Sequence, residues 1–342
     1  MYKKIAMAAA GAAMIAVSAS GSANAGPVLN AIKQKDFIQC GVNTGLAGFG
    51  IADSQGNWTG IDVDFCRGLA AALLGDRNKV KFTPLSAPQR FTALQSGEID
   101  VLSRNTTNTL TRDASLGLHF VGVWYYDGQG FMVPRRLNVK GAKELNGAEI
   151  CVQAGTTTEL NLTDYFRANR MTFKPVVFES AEEWRKAFFA GRCQATTTDV
   201  SALASVRSVD AQNPDDFVIL PEVISKEPLG PMVRRGDDEW FAVTKWVLNL
   251  MLEAEEKGIT TENVDQMRSS TDPTVQRLIG NRDEMGKKLG LAEDWGYKVI
   301  KQVGNYGESF ERNIGKKTPL RLDRGLNAQW TQGGLMYGMP AR

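Results

Sequence analysis

Between Asp100 and Arg112 the chain reads DVLSRNTTNTLTR, placing hydroxyls, amides and a guanidinium directly after a short apolar run. The planar fork of Arg112 can give a carboxylate two parallel hydrogen bonds, and nearby hydroxyl and carbonyl oxygens can accept from an ammonium group. That is chemistry suited to a small zwitterion. The same composition also describes a plain polar loop after a strand. Thr156 and Glu159 stand at capping-box spacing, so Thr156 is expected to cap a helix whose first N–H groups, such as that of Thr157, can still face an anion. A well-capped helix without a ligand fits those residues equally. Asp199 ends an apolar strand pattern and either faces a cleft or caps the segment that follows.

Other chemistries find little support. His119, between Leu118 and Phe120, is the only histidine, and none of the four cysteines lies in a C-x-x-C motif. Zinc, another cofactor or histidine acid–base catalysis is therefore not expected, and His119 reads as structural. Lys3 and Lys4, the apolar run from Ile5 to Val17 and the small-residue site Ala23-Asn24-Ala25 form a secretory signal pattern over 1–25. No later stretch reaches the ~20 apolar residues of a membrane helix. The chain carries 40 basic and 38 acidic residues, and loss of the leader takes two lysines and no acid, leaving a neutral protein. Nucleic acid and anionic membrane surfaces are poor partners for such a charge balance. In an exported chain, four cysteines suggest two disulfides, with three pairings open.

Short strands and helical patterns alternate from Asp36 onward, which indicates α/β sheets covered by helices. Strands are expected at 37–42, 80–85 and 99–103, with helices at 60–74 and 89–96 between them. The pattern restarts with a strand at 148–153, a helix after Thr156, a strand at 173–178, a helix at 182–190 and a strand at 193–198. A return strand at 229–234 and a long amphipathic helix at 237–256 follow. The stretch 258–342 reads as short helices packed on the first unit. The segment from Asp100 and the residue Asp199 both fall at carboxyl ends of strands, where open α/β sheets bind ligands.

Taken in order, Gly60-Ile-Asp-Val-Asp64, Ser96-Gly-Glu-Ile-Asp100, Arg112-Asp113, Gly155-Thr-Thr-Thr-Glu159 and Gly191-Arg-Cys-Gln-Ala-Thr-Thr-Thr-Asp199 resemble the polar amino-acid-binding proteins of ABC importers, family 3 of the bacterial solute-binding proteins. Residues 126–133 and 219–231, with the long C-terminal extension, look more narrowly like the general L-amino-acid-binding group of that family. The resemblance implies a type II periplasmic binding fold: two doubly wound α/β lobes joined by two hinge strands, near 127–135 and 225–232. Lobe one would comprise 26–130 and 230–342, including the extension at 258–342, and lobe two 131–229. It further implies a non-enzymatic periplasmic protein that captures free L-amino acids of broad range, works as a monomer and delivers them to inner-membrane ABC permease subunits. The alternative is a dehydratase-like enzyme on the same fold.

Carried over residue by residue, the resemblance gives Arg112 the α-carboxylate, with backbone N–H groups of Thr107 and Thr157. Asp199 takes the α-ammonium, with the carbonyl of Asn105 and the hydroxyl of Thr107. Asn43, Leu46, Phe49, Ala87 and Gln153 are expected around a roomy, mostly uncharged side-chain pocket. With the strand order that the resemblance implies, Cys40 pairs with Cys66 and Cys151 with Cys193.

Overall fold

The computed structural model describes residues 26–342; the expected leader lies outside the described residues. Two five-stranded sheets organise the chain. In the first, the strands run in the order Val80–Leu85, Ile38–Asn43, Val101–Leu102, Met232–Arg234 and Leu118–Phe120. The first three are parallel and the last two join antiparallel, so this sheet is completed by a strand from late in the sequence. Helix Ile61–Leu74 covers one face, burying Ile61, Phe65, Leu69 and its alanines. Its apolar residues recur at helical spacing, and Gly75, in the left-handed conformation, ends it.

The second sheet runs Lys174–Phe178, Glu149–Gln153, Ala195–Asp199, Gln129–Pro134 and Phe217–Ile219. Phe131, Ile150, Val152, Leu162 and Phe166 form a core on one face of it. Two short strands, Tyr125–Asp127 and Glu227–Leu229, pair antiparallel as a ribbon between the sheets, with Glu227 opposite Asp127. The chain crosses a little earlier than the sequence suggests, because residues 129–134 already belong to the second sheet. The expected return strand at 229–234 is in fact two strands. Gly230, between them, must be glycine because a Cβ there would lie 2.0 Å from the Gly122 carbonyl oxygen.

Helix Pro27–Lys35, which the sequence pattern does not announce, is docked by one carboxylate. Asp237 accepts from the N–H groups of Val28 (2.7 Å) and Leu29 (3.2 Å) while also capping helix Asp238–Glu256 through Trp240 N–H (2.8 Å). Serving two helix N-termini, it satisfies N–H donors that would otherwise be orphaned. The C-terminal extension packs short helices, notably Trp295–Gln302 and Tyr306–Asn313, on the two long helices of the first lobe. Buried Val299, Ile300, Tyr306 and Phe310 supply the contact. Asp64 anchors it, accepting from Ser309 Oγ (2.8 Å), Arg312 Nη2 (2.5 Å) and Asn313 Nδ2 (2.7 Å).

The disulfides join Cys40 to Cys66, strand to helix in the first lobe, and Cys151 to Cys193, from a strand of the second to the turn just before its neighbour Ala195–Asp199. Both are the expected pairs. His119 stacks at 4.7 Å on Phe241, an aromatic packing contact.

Candidate functional site

A small cavity of about 50 Å³ lies between the lobes, lined from the first by Asn43, Leu46, Arg90, Arg104, Asn105 and Thr107. From the second lobe come Gln153, Thr156, Thr157, Thr158, Ala181, Trp184, Arg185, Thr198, Asp199 and Ala202. The lobes touch around it: Arg185 Nη1 donates to the Gly45 carbonyl at 2.7 Å and Ser205 Oγ to that of Ala47 at 2.9 Å. The cleft is therefore closed.

On the first lobe, the loop after Val101–Leu102 is shaped by Asp62. Its carboxylate accepts the backbone N–H of Asn105 at 2.9 Å and Ser103 Oγ at 3.4 Å. Asn105 has φ +23°, a conformation that asparagine tolerates better than most residues. Its side-chain oxygen takes Asn43 Nδ2 at 3.0 Å. The next residues pair with the crossing ribbon, through Asn108 N–H to the Pro228 carbonyl (2.9 Å) and Gly230 N–H to that of Thr106 (3.0 Å). Arg112 follows on a short helix capped by the Thr109 hydroxyl, and its Nη1 donates to the Thr107 carbonyl at 2.9 Å.

On the second lobe, Thr156 caps helix Thr157–Ala168 as expected, accepting from Glu159 N–H at 3.2 Å. The return bond of Glu159 goes to Gly155 N–H (3.1 Å) rather than to Thr156, so the capping box is displaced by one residue. Among the described residues no acceptor takes the N–H of Thr107 or of Thr157. Asp199 stands at the N-cap position of helix Val200–Val209, yet its side chain makes no capping bond. Of its two readings, the cleft-facing one matches the geometry.

Charge dominates the walls. Asp199 is buried, and burial first, then Asp127 and Glu227, push its carboxyl well above the ordinary range, opposed by Arg90 and Arg112. Burial pushes Asp62 up to about 7 and Asp127 up to about 6. On the cationic side burial holds Arg104 down to about 10 and lowers Arg112 and, further, Arg90. Arg90 is 3% exposed, and its Nε has no partner among the described residues; its guanidinium lies 4.7 Å over the Phe91 ring.

Two expectations need correction. Phe49 does not line the cavity: its ring is 1% exposed and meets Tyr125 edge-on at 5.5 Å inside the core. The wall is neither roomy nor mostly uncharged, since Arg90, Arg104 and Arg185 reach it. Asn43, Leu46, Asn105, Thr107, Gln153, Thr157 and Asp199 come together there, whereas buried Ala87 and Arg112 stand outside the lining set. Arg112 instead donates to the carbonyl of Thr107, itself a lining residue. Sequence reasoning missed Arg90, Arg104 and Glu227. Arg104 lay inside the segment read as a site, and a buried arginine opening the short helix Arg90–Ser96 carries no local signal.

Two α/β lobes hinged by paired strands around a charged, closed cleft define a ligand-trapping fold. A family model for bacterial extracellular solute-binding proteins, family 3, matches residues 38–263. The general L-amino acid-binding periplasmic protein AapJ of Rhizobium johnstonii is 56% identical, with both chains covered in full. The glutamate/glutamine/aspartate/asparagine-binding protein BztA of Rhodobacter capsulatus is 52% identical over 97% of this chain and 98% of its own. A solved periplasmic binding protein from Brucella ovis with glutathione bound superposes with TM-score 0.90 at 58% identity, covering 92% of this chain and 99% of that one. This chain belongs to family 3 of the bacterial extracellular solute-binding proteins, and its near relatives are solute-binding proteins, not enzymes.

Proposed function

We propose that the chain is the periplasmic substrate-binding component of an ABC importer for L-amino acids. In this reading the two lobes, meeting at the ribbon of 125–127 and 227–229, close on the ligand as a monomer that hands it to inner-membrane permease subunits. The first 25 residues are a leader cleaved near Ala25. The observation that carries the reading is the distribution of charge across the cleft: guanidinium groups and the N–H of Thr107 on one lobe, Asp199 on the other. A zwitterion satisfies both walls only when they meet, so its binding free energy drives closure. The α-carboxylate lies by Arg112 and the N–H groups of Thr107 and Thr157, and the ammonium by Asp199, the Asn105 carbonyl and the Thr107 hydroxyl.

Arg90 extends the reading. A buried guanidinium without an ion pair among the described residues favours ligands bearing a second carboxylate, as glutamate and glutathione do, the latter bound in the Brucella ovis relative. Calorimetry on protein unfolded and refolded to strip bound ligand, titrated with L-alanine, L-glutamine, L-glutamate, L-arginine and glutathione, tests this. Binding of several L-amino acids with L-glutamate among the tightest supports the reading; no binding of any overturns it.

A further inference from the structure

Glu227, on the crossing ribbon, is 1% exposed and sits where both lobes reach it. Its Oε2 accepts from the Thr107 hydroxyl of the first lobe at 2.5 Å and from the Thr157 hydroxyl of the second at 2.9 Å. Its Oε1 accepts from Asn161 Nδ2 at 2.7 Å and from Ser225 Oγ at 2.6 Å. The two threonine oxygens lie 3.3 Å apart, and both residues line the cavity. No cation pairs with Glu227 within salt-bridge distance among the described residues.

A hydroxyl has one proton and two lone pairs. With both protons committed to Glu227, Thr107 and Thr157 can offer the cleft only lone pairs. A carboxylate placed behind the two hydroxyls thus turns neutral, two-way groups into one-way acceptors, and adds negative potential on the same side as Asp199. We propose that Glu227 is a positioning residue: by orienting the Thr107 and Thr157 hydroxyls it makes the junction of the lobes select an ammonium group. The same carboxylate ties the two lobes at the point where they meet, so selection and closure share one group. This inference rests on the amino-acid-binding reading and goes beyond it, since Glu227 itself does not line the cavity.

The experiment compares L-glutamate with glutarate, its counterpart lacking the amino group, by calorimetry and competition in the wild type, E227Q, T157V and the double variant. Glutamine's amide can donate to the hydroxyls, releasing their protons toward the cleft. The expected result is a fall of about tenfold or more in the ratio of L-glutamate to glutarate affinity in E227Q, with glutarate affinity little changed. The double variant should lose no more than the worse single variant, because the carboxylate acts through the hydroxyl. If E227Q fails to fold, T157S against T157V reads the same effect: serine should keep the ratio and valine should lose it. Equal loss for both ligands, or an unchanged ratio, overturns the inference while leaving the functional reading intact. A wild type that binds no amino acid overturns both.

Discussion

The side chain of Asn327 closes both polar edges of Tyr126, accepting its backbone N–H at 2.6 Å and donating to its carbonyl at 3.0 Å. On its other side Tyr126 stands opposite Pro228 in the ribbon. A residue of the C-terminal extension thus replaces the missing third strand of the hinge. Asn327→Ala should leave two half-buried backbone groups without their partner and lower stability by about 1 kcal/mol. Hydrogen exchange at Tyr126 measures it: the amide should exchange markedly faster in the variant, and unchanged protection would show that the extension does not brace the ribbon.

Arg112→Ala and Asp199→Asn should each weaken L-glutamate binding by about 2–5 kcal/mol, because a desolvated partner charge is left behind. Far-UV circular dichroism should stay native while calorimetric affinity falls. Wild-type affinity in either variant would remove that residue from the site.

Binding should depend on pH through Asp199. Burial pushes its carboxyl above the ordinary range, and an ammonium ligand binds the deprotonated form. Affinity should therefore drop as pH falls through that raised value, with uptake of protons by the free protein. Titrations at several pH values in buffers of different ionisation heat read the proton directly; an affinity that does not fall as pH is lowered, with no proton exchanged on binding, would contradict it.

Asp62 offers a stability test. Its folded value, about 7, lies above the unfolded one, so the folded state holds the proton more tightly. Its contribution is most favourable below the unfolded value and is lost as pH rises from about 4 to about 7. Asp62→Asn removes this dependence, so the variant's stability relative to wild type should climb with pH over that window, by up to about 1.4 kcal/mol per unit. Denaturant midpoints at pH 4.5, 6 and 7.5 check the slope; parallel profiles would refute the assignment.

Reduction should unfold the lobes more readily. The loops closed by Cys40–Cys66 and Cys151–Cys193 have sequence separations of 26 and 42 residues. Chain-entropy arguments give each about 3–4 kcal/mol. A Tm unaltered by reductant, once free thiols are verified, would argue against that contribution.

Much of this was legible in the sequence where periodicity and strand-end chemistry agreed. The strand at Val80–Leu85 and the helix Ile61–Leu74 fall where alternation and a four-residue apolar repeat place them. Asp199 was ambiguous because a cap and a cleft carboxylate occupy the same position in sequence; only the absence of a capping bond separates them. Phe49 misled because an aromatic near a site is equally fit for the core. Glu227 was invisible: apart from Ser225 its partners, Thr107, Thr157 and Asn161, are 120, 70 and 66 residues away, and no local pattern announces a carboxylate shared across lobes.

Each covalent cross-link stays within its own sheet-and-helix body, and neither spans the ribbon of 125–127 and 227–229. Oxidation can therefore stiffen two shells without locking the jaw. A protein built this way keeps each body stapled while its gape continues to be governed by reversible contacts alone.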